Sequence, residues 1–314
     1  MNKKEIFYED KKNCEIPLTH ITDGITDQAL LKIDELYGAA DILSIENAQK
    51  HNKILLLLSV IGTVITMAFL LYDEAEIHGL ILACIIMILF LFLTRRIANR
   101  LDCHRKYIEY RVLAETLRLQ FFLSIAGVKQ HVSDILPWFI KKGLPWIDEL
   151  LLTLHINNVQ ERMPVIDCWI RDQKAYHDSA LKKAENKKHR DERTTKIVIV
   201  VTIIAYIVTL LFELFIYNAS STNIDANAVR AILKIIVGTM SAITLFTGSY
   251  YGKMSLSNSI EDHKRMSALY QKAEKDIMES GETEELLISL AREYLIENST
   301  WYSYQTKNKP DIVF

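Results

Sequence analysis

Glycine and proline are scarce in this chain of 314 residues, which contains only 10 and 5 of them. A fold with many turns relies on both residue types, because glycine reaches positive φ and proline fixes the φ of turn positions. The scarcity therefore disfavours a loop-rich fold. Since hydrophobic residues make up 50% of the sequence, the composition predicts an all-α protein with many long helices.

Motifs of metal and nucleotide chemistry are also missing. The sequence contains no phosphate-binding loop, dinucleotide-binding glycine pattern, serine-hydrolase elbow or zinc-protease helix motif. Its four cysteines, Cys14, Cys84, Cys103 and Cys168, do not have metal-site spacing, and the adjacency of Cys103 and His104 does not bring two ligands onto one ion. We therefore expect a non-enzymatic protein without a metal or cofactor.

An excess of charge of one sign is absent as well. Lys and Arg number 37 against 39 Asp and Glu, so the net charge gives no general attraction to nucleic acid. Charged residues nevertheless make up 24% of the chain, which is too many for a protein mostly immersed in lipid. The composition indicates apolar segments combined with polar ones.

Four apolar runs account for this mixture, at residues 54–72, 77–94, 197–217 and about 231–250. A run of nineteen residues spans about 28 Å as a helix, close to the thickness of a bilayer's hydrocarbon core. Only residues 73–76 separate the first two runs, so these must form a hairpin. The sequence predicts an integral membrane protein with two transmembrane hairpins, four spans in total, and a cytoplasmic helical body.

Basic residues indicate the orientation, because Lys and Arg accumulate on the cytoplasmic side of membrane spans. Residues 1–53 hold seven of them, 95–196 hold twenty and 251–314 hold eight, whereas the hairpin tips hold only Arg230. We expect both termini in the cytoplasm, with the four spans in the inner membrane. The predicted segments are a cytoplasmic entry segment (1–53), hairpin 1 (54–94), a cytoplasmic helical region (95–196), hairpin 2 (197–250) and C-terminal cytoplasmic helices (251–314).

The cytoplasmic segments contain recognisable helices. One continuous helix is predicted from residue 95 to 124, with Arg111, Glu115 and Arg118 on one charged face. This face forms either an ion-pair ladder or an anchor for a neighbouring helix or an acidic ligand. We expect Trp138 and Trp146 to lie against membrane-proximal helices or at the headgroup level, and the last helix to cover residues 283–297.

Polar residues within the spans are candidates for function, because they are costly in hydrocarbon. Glu213 and Lys234 are expected to pair across hairpin 2, unless Lys234 reaches the interface and Glu213 lies near the outer headgroups. Small and hydroxyl residues form stripes that either pack helices or line a pore. These residues are Ser59, Gly62, Thr63, Thr66, Gly238, Ser241, Thr244, Gly248 and Gly252.

Four short motifs resemble the SLATT group, the bacterial SMODS- and SLOG-associating two-transmembrane effector domains and their tandem four-span relatives. The residues that carry the resemblance are Ala40, Asp41, Ser44 and Gln49 before span one, Tyr110, Arg111, Ala114, Glu115 and Arg118 after span two, Gln173, Tyr176 and His177 before span three, and Glu297, Asn298 and Trp301 near the end. His177 has no second histidine nearby on its helix face, so we expect it to have a packing or hydrogen-bonding role rather than that of a catalytic base.

The resemblance implies an oligomeric membrane effector that opens or perturbs the membrane in a nucleotide-signalled defence system. Many relatives carry an N-terminal nucleotide sensor, but only about fifty residues precede span one here. We therefore expect any nucleotide sensor to be a separate cytoplasmic protein. The alternative function is a membrane-anchored helical scaffold that docks a cytoplasmic partner.

Overall fold

The computed structural model describes residues 2–14, 27–74, 77–154, 164–217, 226–253 and 256–307. Within these ranges the chain is helical and contains no strand, which confirms the predicted all-α class. The α-helices are α1 (Lys3–Lys12), α2 (Gln28–Glu74), α3 (Leu80–Leu101), α4 (Cys103–Ile125), α5 (Val132–Ile135), α6 (Trp138–Gly143), α7 (Pro145–Leu152), α8 (Asp172–Leu211), α9 (Ala226–Lys253), α10 (Leu256–Ser280) and α11 (Glu284–Lys307). Two stretches, Ile166–Arg171 and Phe212–Tyr217, are π-helical.

Four helical stretches of the described chain are long and apolar enough to cross a membrane. They are Gln28–Glu74, Leu80–Ile125, Ile166–Phe215 and Ala226–Gly248. Each contains all or most of one of the four apolar runs. The structure thus supports a multi-pass membrane protein.

The chain divides into two compact units. The first comprises Met1–Lys50, Asp102–Lys183 and Asn258–Lys309, and the second comprises His51–Leu101 and Ala184–Ser257 among the described residues. These boundaries differ by up to thirteen residues from the predicted segment ends at 53, 94, 196 and 250. Three of them fall inside helices, in α2, α8 and α10.

The first unit has its own hydrophobic core around α4. Helix α4 buries most of its length, including Leu113 and Leu117, and packs extensively against α11. Phe122 of α4 stacks on Trp169 with ring centroids 5.5 Å apart. Trp146 lies in the same core, 6.2 Å from the ring of Phe7. Trp146 is therefore a core residue of this unit, not a residue exposed at the headgroup level.

Two predicted helix limits are wrong. The expected continuous helix from 95 to 124 is interrupted at Asp102, whose φ of 49° lies in the left-handed region that Asp tolerates better than most residues. The final helix is longer than expected: α11 begins after Thr283, whose hydroxyl accepts a bond from the Leu286 backbone N–H, and it runs to Lys307. Aromatic packing beyond residue 297, including Tyr302 against Phe139, accounts for the extra turns.

In the second unit the helices keep many large apolar side chains exposed. Leu82 and Leu89 of α3 and Phe215 after α8 are each more than 60% exposed. Such surfaces are what lipid-facing helices require, because hydrocarbon tails replace a protein core. Contacts between the helices of this unit include hydroxyl pairs, ion pairs and glycines that face large apolar side chains.

Candidate functional site

A group of buried charges lies on one face of α4. Arg111, Glu115 and Arg118 follow one another at intervals of about one turn, and the Glu115 carboxylate forms ion pairs with both guanidinium groups. The side chain of Glu115 is 6% exposed, whereas those of Arg111 and Arg118 are 28% and 14% exposed. One buried carboxylate thus serves two arginines.

Two neighbouring helices complete this group. Asp41 of α2 accepts a hydrogen bond of 3.2 Å from Arg111. The Tyr294 hydroxyl of α11 donates to Glu115 and accepts a 2.5 Å hydrogen bond from Arg118. The sequence left two alternatives open, an ion-pair ladder within α4 and an anchor to a neighbouring helix. Both are therefore present. We refer to Asp41, Arg111, Glu115 and Arg118 as the charge cluster; its ionised groups sum to zero charge.

Burial and ion pairing act in opposite directions on the pKa of Glu115. Burial raises it, but the charges of Arg111 and Arg118 and the hydrogen bond from Tyr294 prevail, so the pKa of Glu115 lies below its usual value. For Asp41 burial prevails over the attraction of Arg111, and the pKa is raised. Burial also raises the pKa of Tyr294, which keeps its hydroxyl protonated as a donor. The cluster therefore contains an ionised Glu115 at neutral pH.

A histidine pair joins α8 to α10. The Nδ1 atoms of His177 and His263 lie 3.1 Å apart, and a hydrogen bond between them needs one protonated and one unprotonated nitrogen. The ring of Tyr270 stacks on His177 with centroids 5.8 Å apart. Burial, with the neighbouring His263, lowers the pKa of His177 to about 4, and burial also lowers the pKa of His263. His177 thus has both packing and hydrogen-bonding contacts.

The other SLATT-like residues also lie in the first unit. Gln173 is 4% exposed one turn before His177 on α8. Tyr176 is 45% exposed, and its ring lies 5.2 Å from that of His177. Trp301 of α11 packs edge-on against Tyr107, with ring centroids 5.8 Å apart. Motif residues that are far apart in sequence are thus assigned to one compact unit.

In the second unit, two glycines of the predicted stripes are contact points between α2 and α9. A Cβ at Gly62 would lie 2.5 Å from the ring carbon Cζ of Phe246, and a Cβ at Gly238 would lie 2.5 Å from Cδ1 of Leu70. Because real Cβ atoms do not approach so closely, each glycine makes room for a large side chain of the other helix. At these two positions the structure shows close packing.

Hydroxyl groups connect α9 to α8. Thr244 lies 2.9 Å from Thr202, and Ser241 lies 2.9 Å from Tyr206. Ser241 and Thr244 also donate to backbone carbonyls one turn earlier in α9, as Thr66 does in α2. These hydroxyls are therefore satisfied within the chain, and α9 has specific contacts with both α2 and α8.

Four stripe residues are not part of these contacts as described. Gly248 is exposed, and a Cβ there would meet no atom within 4 Å. Thr63 is half-buried on α2. Ser59 and Gly252 belong to α2 and α9, but their surroundings lie outside the described residues. Gly248 is thus a stripe position where a Cβ can be added without contact to the described residues of the chain.

The two charged residues of the apolar runs have different partners from those expected. The predicted pair between Glu213 and Lys234 is wrong: Glu213 accepts a 2.6 Å bond from Arg230, and Lys234 donates a 2.9 Å bond to Glu74. Arg230 and Lys234 lie one turn apart on α9, so Arg230, nearer the helix start, reaches Glu213. The π-helical stretch around Glu213 changes the direction of its side chain from that in a regular α-helix. Helix α9 is consequently joined by ion pairs to α2 and to the end of the third span.

No protein-family model, curated protein or solved structure matches this chain. Within the part of the chain that the structure describes, no three or more His, Cys, Asp or Glu side chains converge on a possible metal position. The geometry of the described residues therefore provides charge pairing and hydrogen bonding between helices as its principal chemistry.

Several residues that take part in the contacts described above are absent from the set of site residues predicted from the sequence. Arg230 and Glu74 are both detectable, since they are charged residues next to predicted span ends, one turn from other polar positions. Thr202 and Tyr206 are also detectable as polar residues spaced by four within span three. Tyr294 gives no such signal, because its role depends on which face of α11 packs against α4.

Proposed function

We propose that this protein is a non-enzymatic inner-membrane effector that oligomerises and forms a pore, or perturbs the bilayer, in a nucleotide-signalled bacterial defence system. Four membrane-crossing helices support the membrane part of this proposal, and the resemblance to the SLATT group supports its biological setting. The trigger is a separate cytoplasmic nucleotide sensor. Nucleic acid is not among the proposed partners.

The observation that carries the proposal is the polar content of α9. A helix that only anchors a protein needs apolar side chains, because charged and polar groups are costly in hydrocarbon. Helix α9 nevertheless places Arg230, Lys234, Ser241 and Thr244 in bonds with other helices. We infer that these bonds hold a closed state. On activation the hydroxyls of α9 exchange their partners for water and ions along a path between subunits.

The proposed topology is two transmembrane hairpins with the helical body and both termini in the cytoplasm. The support is the uneven distribution of Lys and Arg, with Arg230 alone at the tips. A membrane-impermeant thiol reagent tests it in intact cells, using a cysteine-free variant with one introduced cysteine. Asn227→Cys should react, whereas Lys142→Cys should react only after the cells are opened. The reverse pattern would invert the topology.

Leakage from liposomes tests the effector function directly. Purified protein is reconstituted at increasing protein-to-lipid ratios into vesicles loaded with a self-quenched dye. We expect release that rises more steeply than in proportion to protein, because an oligomeric path needs several subunits. Vesicles that stay tight at every ratio, and also with a sensor that binds the protein, would refute the proposal.

Two glycine variants separate a path between subunits from general damage. Gly248→Leu adds a side chain whose Cβ meets no atom of the described chain within 4 Å, so the thermal stability should stay unchanged while release falls at least tenfold. Gly62→Leu collides with Phe246 and should lower both. If Gly248→Leu leaks like the unchanged protein, Gly248 does not face a path or a subunit contact.

The second candidate function, a membrane-anchored scaffold for a cytoplasmic partner, is favoured by the first unit. That unit buries its own continuous core, with Trp146 and Trp169 3% and 2% exposed, and so has the order that a docking surface requires. A scaffold predicts tight vesicles and partner capture that is unaffected by Gly248→Leu. An effector predicts the opposite result for leakage.

A further inference from the structure

The structure describes all four tryptophans of the chain, and Trp138 differs from the other three. Trp146 and Trp169 are 3% and 2% exposed, and Trp301 is partly buried, whereas Trp138 is 71% exposed. Tryptophan is the largest apolar side chain, and its exposure to water is unfavourable unless the ring meets another surface. The ring of Trp138, next to the 40% exposed ring of Phe139, is therefore a candidate contact surface.

The helix that carries Trp138 is firmly attached to the first unit. Ile140 of α6 and Leu144 at its end are 1% and 0% exposed, and the ring of Phe139 lies 5.8 Å from that of Tyr302. One face of α6 is thus fixed in the core, and the exposure of Trp138 is a consequence of this packing. Phe139 itself remains 40% exposed and extends the apolar surface beside Trp138.

Positive charge accompanies these two aromatic rings. Helix α6 contains Lys141, which is partly exposed, and Lys142, which is exposed, and it contains no acidic residue. Tryptophan next to lysine is the composition of segments at the membrane–water interface, where the ring enters the headgroup region and the ammonium group meets lipid phosphates. Each such lysine contributes to attraction towards anionic lipid.

We propose that α6 docks on the anionic surface of the bilayer, with Trp138 among the headgroups and Lys141 and Lys142 at the lipid phosphates. The charge of α6 fits anionic lipid, and a bilayer is always available to a chain with four helices able to cross one. This contact does not depend on pore formation, since it would equally hold the body of a scaffold.

Brominated lipids test the proposal in the full-length protein, because bromine on an acyl chain quenches only tryptophans in contact with lipid. None of the four tryptophans lies in the apolar runs 54–94 or 197–250, so emission reports on the body alone. In vesicles containing brominated phosphatidylglycerol we expect the loss of up to about one quarter of the emission, the share of one tryptophan in four. Trp138→Phe should abolish this quenching.

Matched variants and lipids complete the design. Trp301→Phe should keep the quenching, and replacing both lysines by Gln, or brominated phosphatidylglycerol by brominated phosphatidylcholine, should reduce it at least twofold. Equal quenching of the unchanged protein and Trp138→Phe would overturn the proposal. A second result would also overturn it: Trp138 is shielded from acrylamide but is not quenched by brominated lipid, and the shielding rises with the protein-to-lipid ratio. In that case a second copy of the protein, and not the bilayer, covers α6.

Discussion

Replacing Glu115 by Gln tests whether the charge cluster is a central electrostatic contact of the first unit. The substitution keeps the shape of the side chain and removes its charge. The cluster then contains Arg111, Arg118 and only the carboxylate of Asp41, so one positive charge is uncompensated. Because Asp41 contacts Arg111, the charge without a carboxylate is that of Arg118, whose side chain is 14% exposed.

Removing one partner of a buried ion pair costs about 3–5 kcal/mol. The lower end applies here, since Arg118 keeps its hydrogen bond to Tyr294 and limited access to water. A loss of about 3 kcal/mol corresponds to a fall in Tm of roughly 6–12 °C for a unit of this size. Asp41→Asn is the control: it also leaves one uncompensated charge, but that of Arg111, whose side chain is 28% exposed, where a loss of about 1 kcal/mol is expected.

Thermal unfolding in detergent, followed by tryptophan fluorescence, measures both variants because three tryptophans lie in or against the core of this unit. The double variant Glu115→Gln with Arg118→Met restores zero net charge to the cluster and should recover most of the lost stability. The reasoning is refuted if Asp41→Asn costs as much as Glu115→Gln, or if the double variant loses the sum of the two single losses.

Three further predictions follow from the other contacts. In a double-mutant cycle, the falls in Tm caused by Glu213→Gln and Arg230→Met should be non-additive, because these two residues are bonded. The falls caused by Glu213→Gln and Lys234→Met should add, because Lys234 bonds to Glu74. Coupling only in the second cycle would contradict the observed pairs. The pKa of His177 is about 4 in the folded protein and 6.5 in the unfolded chain, so on acidification the unfolded chain binds the proton first. The free energy of unfolding should therefore fall by about 2 kcal/mol from pH 7 to pH 5. A His177→Gln variant with the same decline would argue against this origin. Gly62→Ala should lower Tm by several degrees because its Cβ meets an aromatic ring 2.5 Å away, and an unchanged Tm would show that this ring moves aside without cost.

Helical class and the positions of the spans were predictable because each depends on local sequence. A run of nineteen apolar residues such as 54–72 identifies a span whatever surrounds it. The break at Asp102 was not predictable, since the residues on both sides favour a helix and only the left-handed φ of a single residue separates α3 from α4. The ten extra residues of α11 depend likewise on tertiary contacts such as that between Tyr302 and Phe139.

The charged face of α4 could be recognised from the spacing of Arg111, Glu115 and Arg118, but their partners could not. Spacing defines neighbours within one helix, whereas Tyr294 lies 179 residues from Glu115 along the chain. The predicted pairing of Glu213 with Lys234 is wrong for a related reason. Similar depth in the bilayer made Glu213 and Lys234 plausible partners, but depth does not specify the direction of a side chain around its helix.

The direction of those side chains has a consequence for any opening mechanism. If Glu213 and Lys234 bonded to each other, the third and fourth spans could move together and away from α2 without breaking an ion pair. With Lys234 bonded to Glu74 of α2 and Arg230 bonded to Glu213, α9 cannot separate from either neighbour without exposing a charge to hydrocarbon or to water. Water at the separating surface is the less costly outcome, because it solvates both released charges. A path that opens beside α9 is therefore expected to be wet at this end from the moment an ion pair breaks.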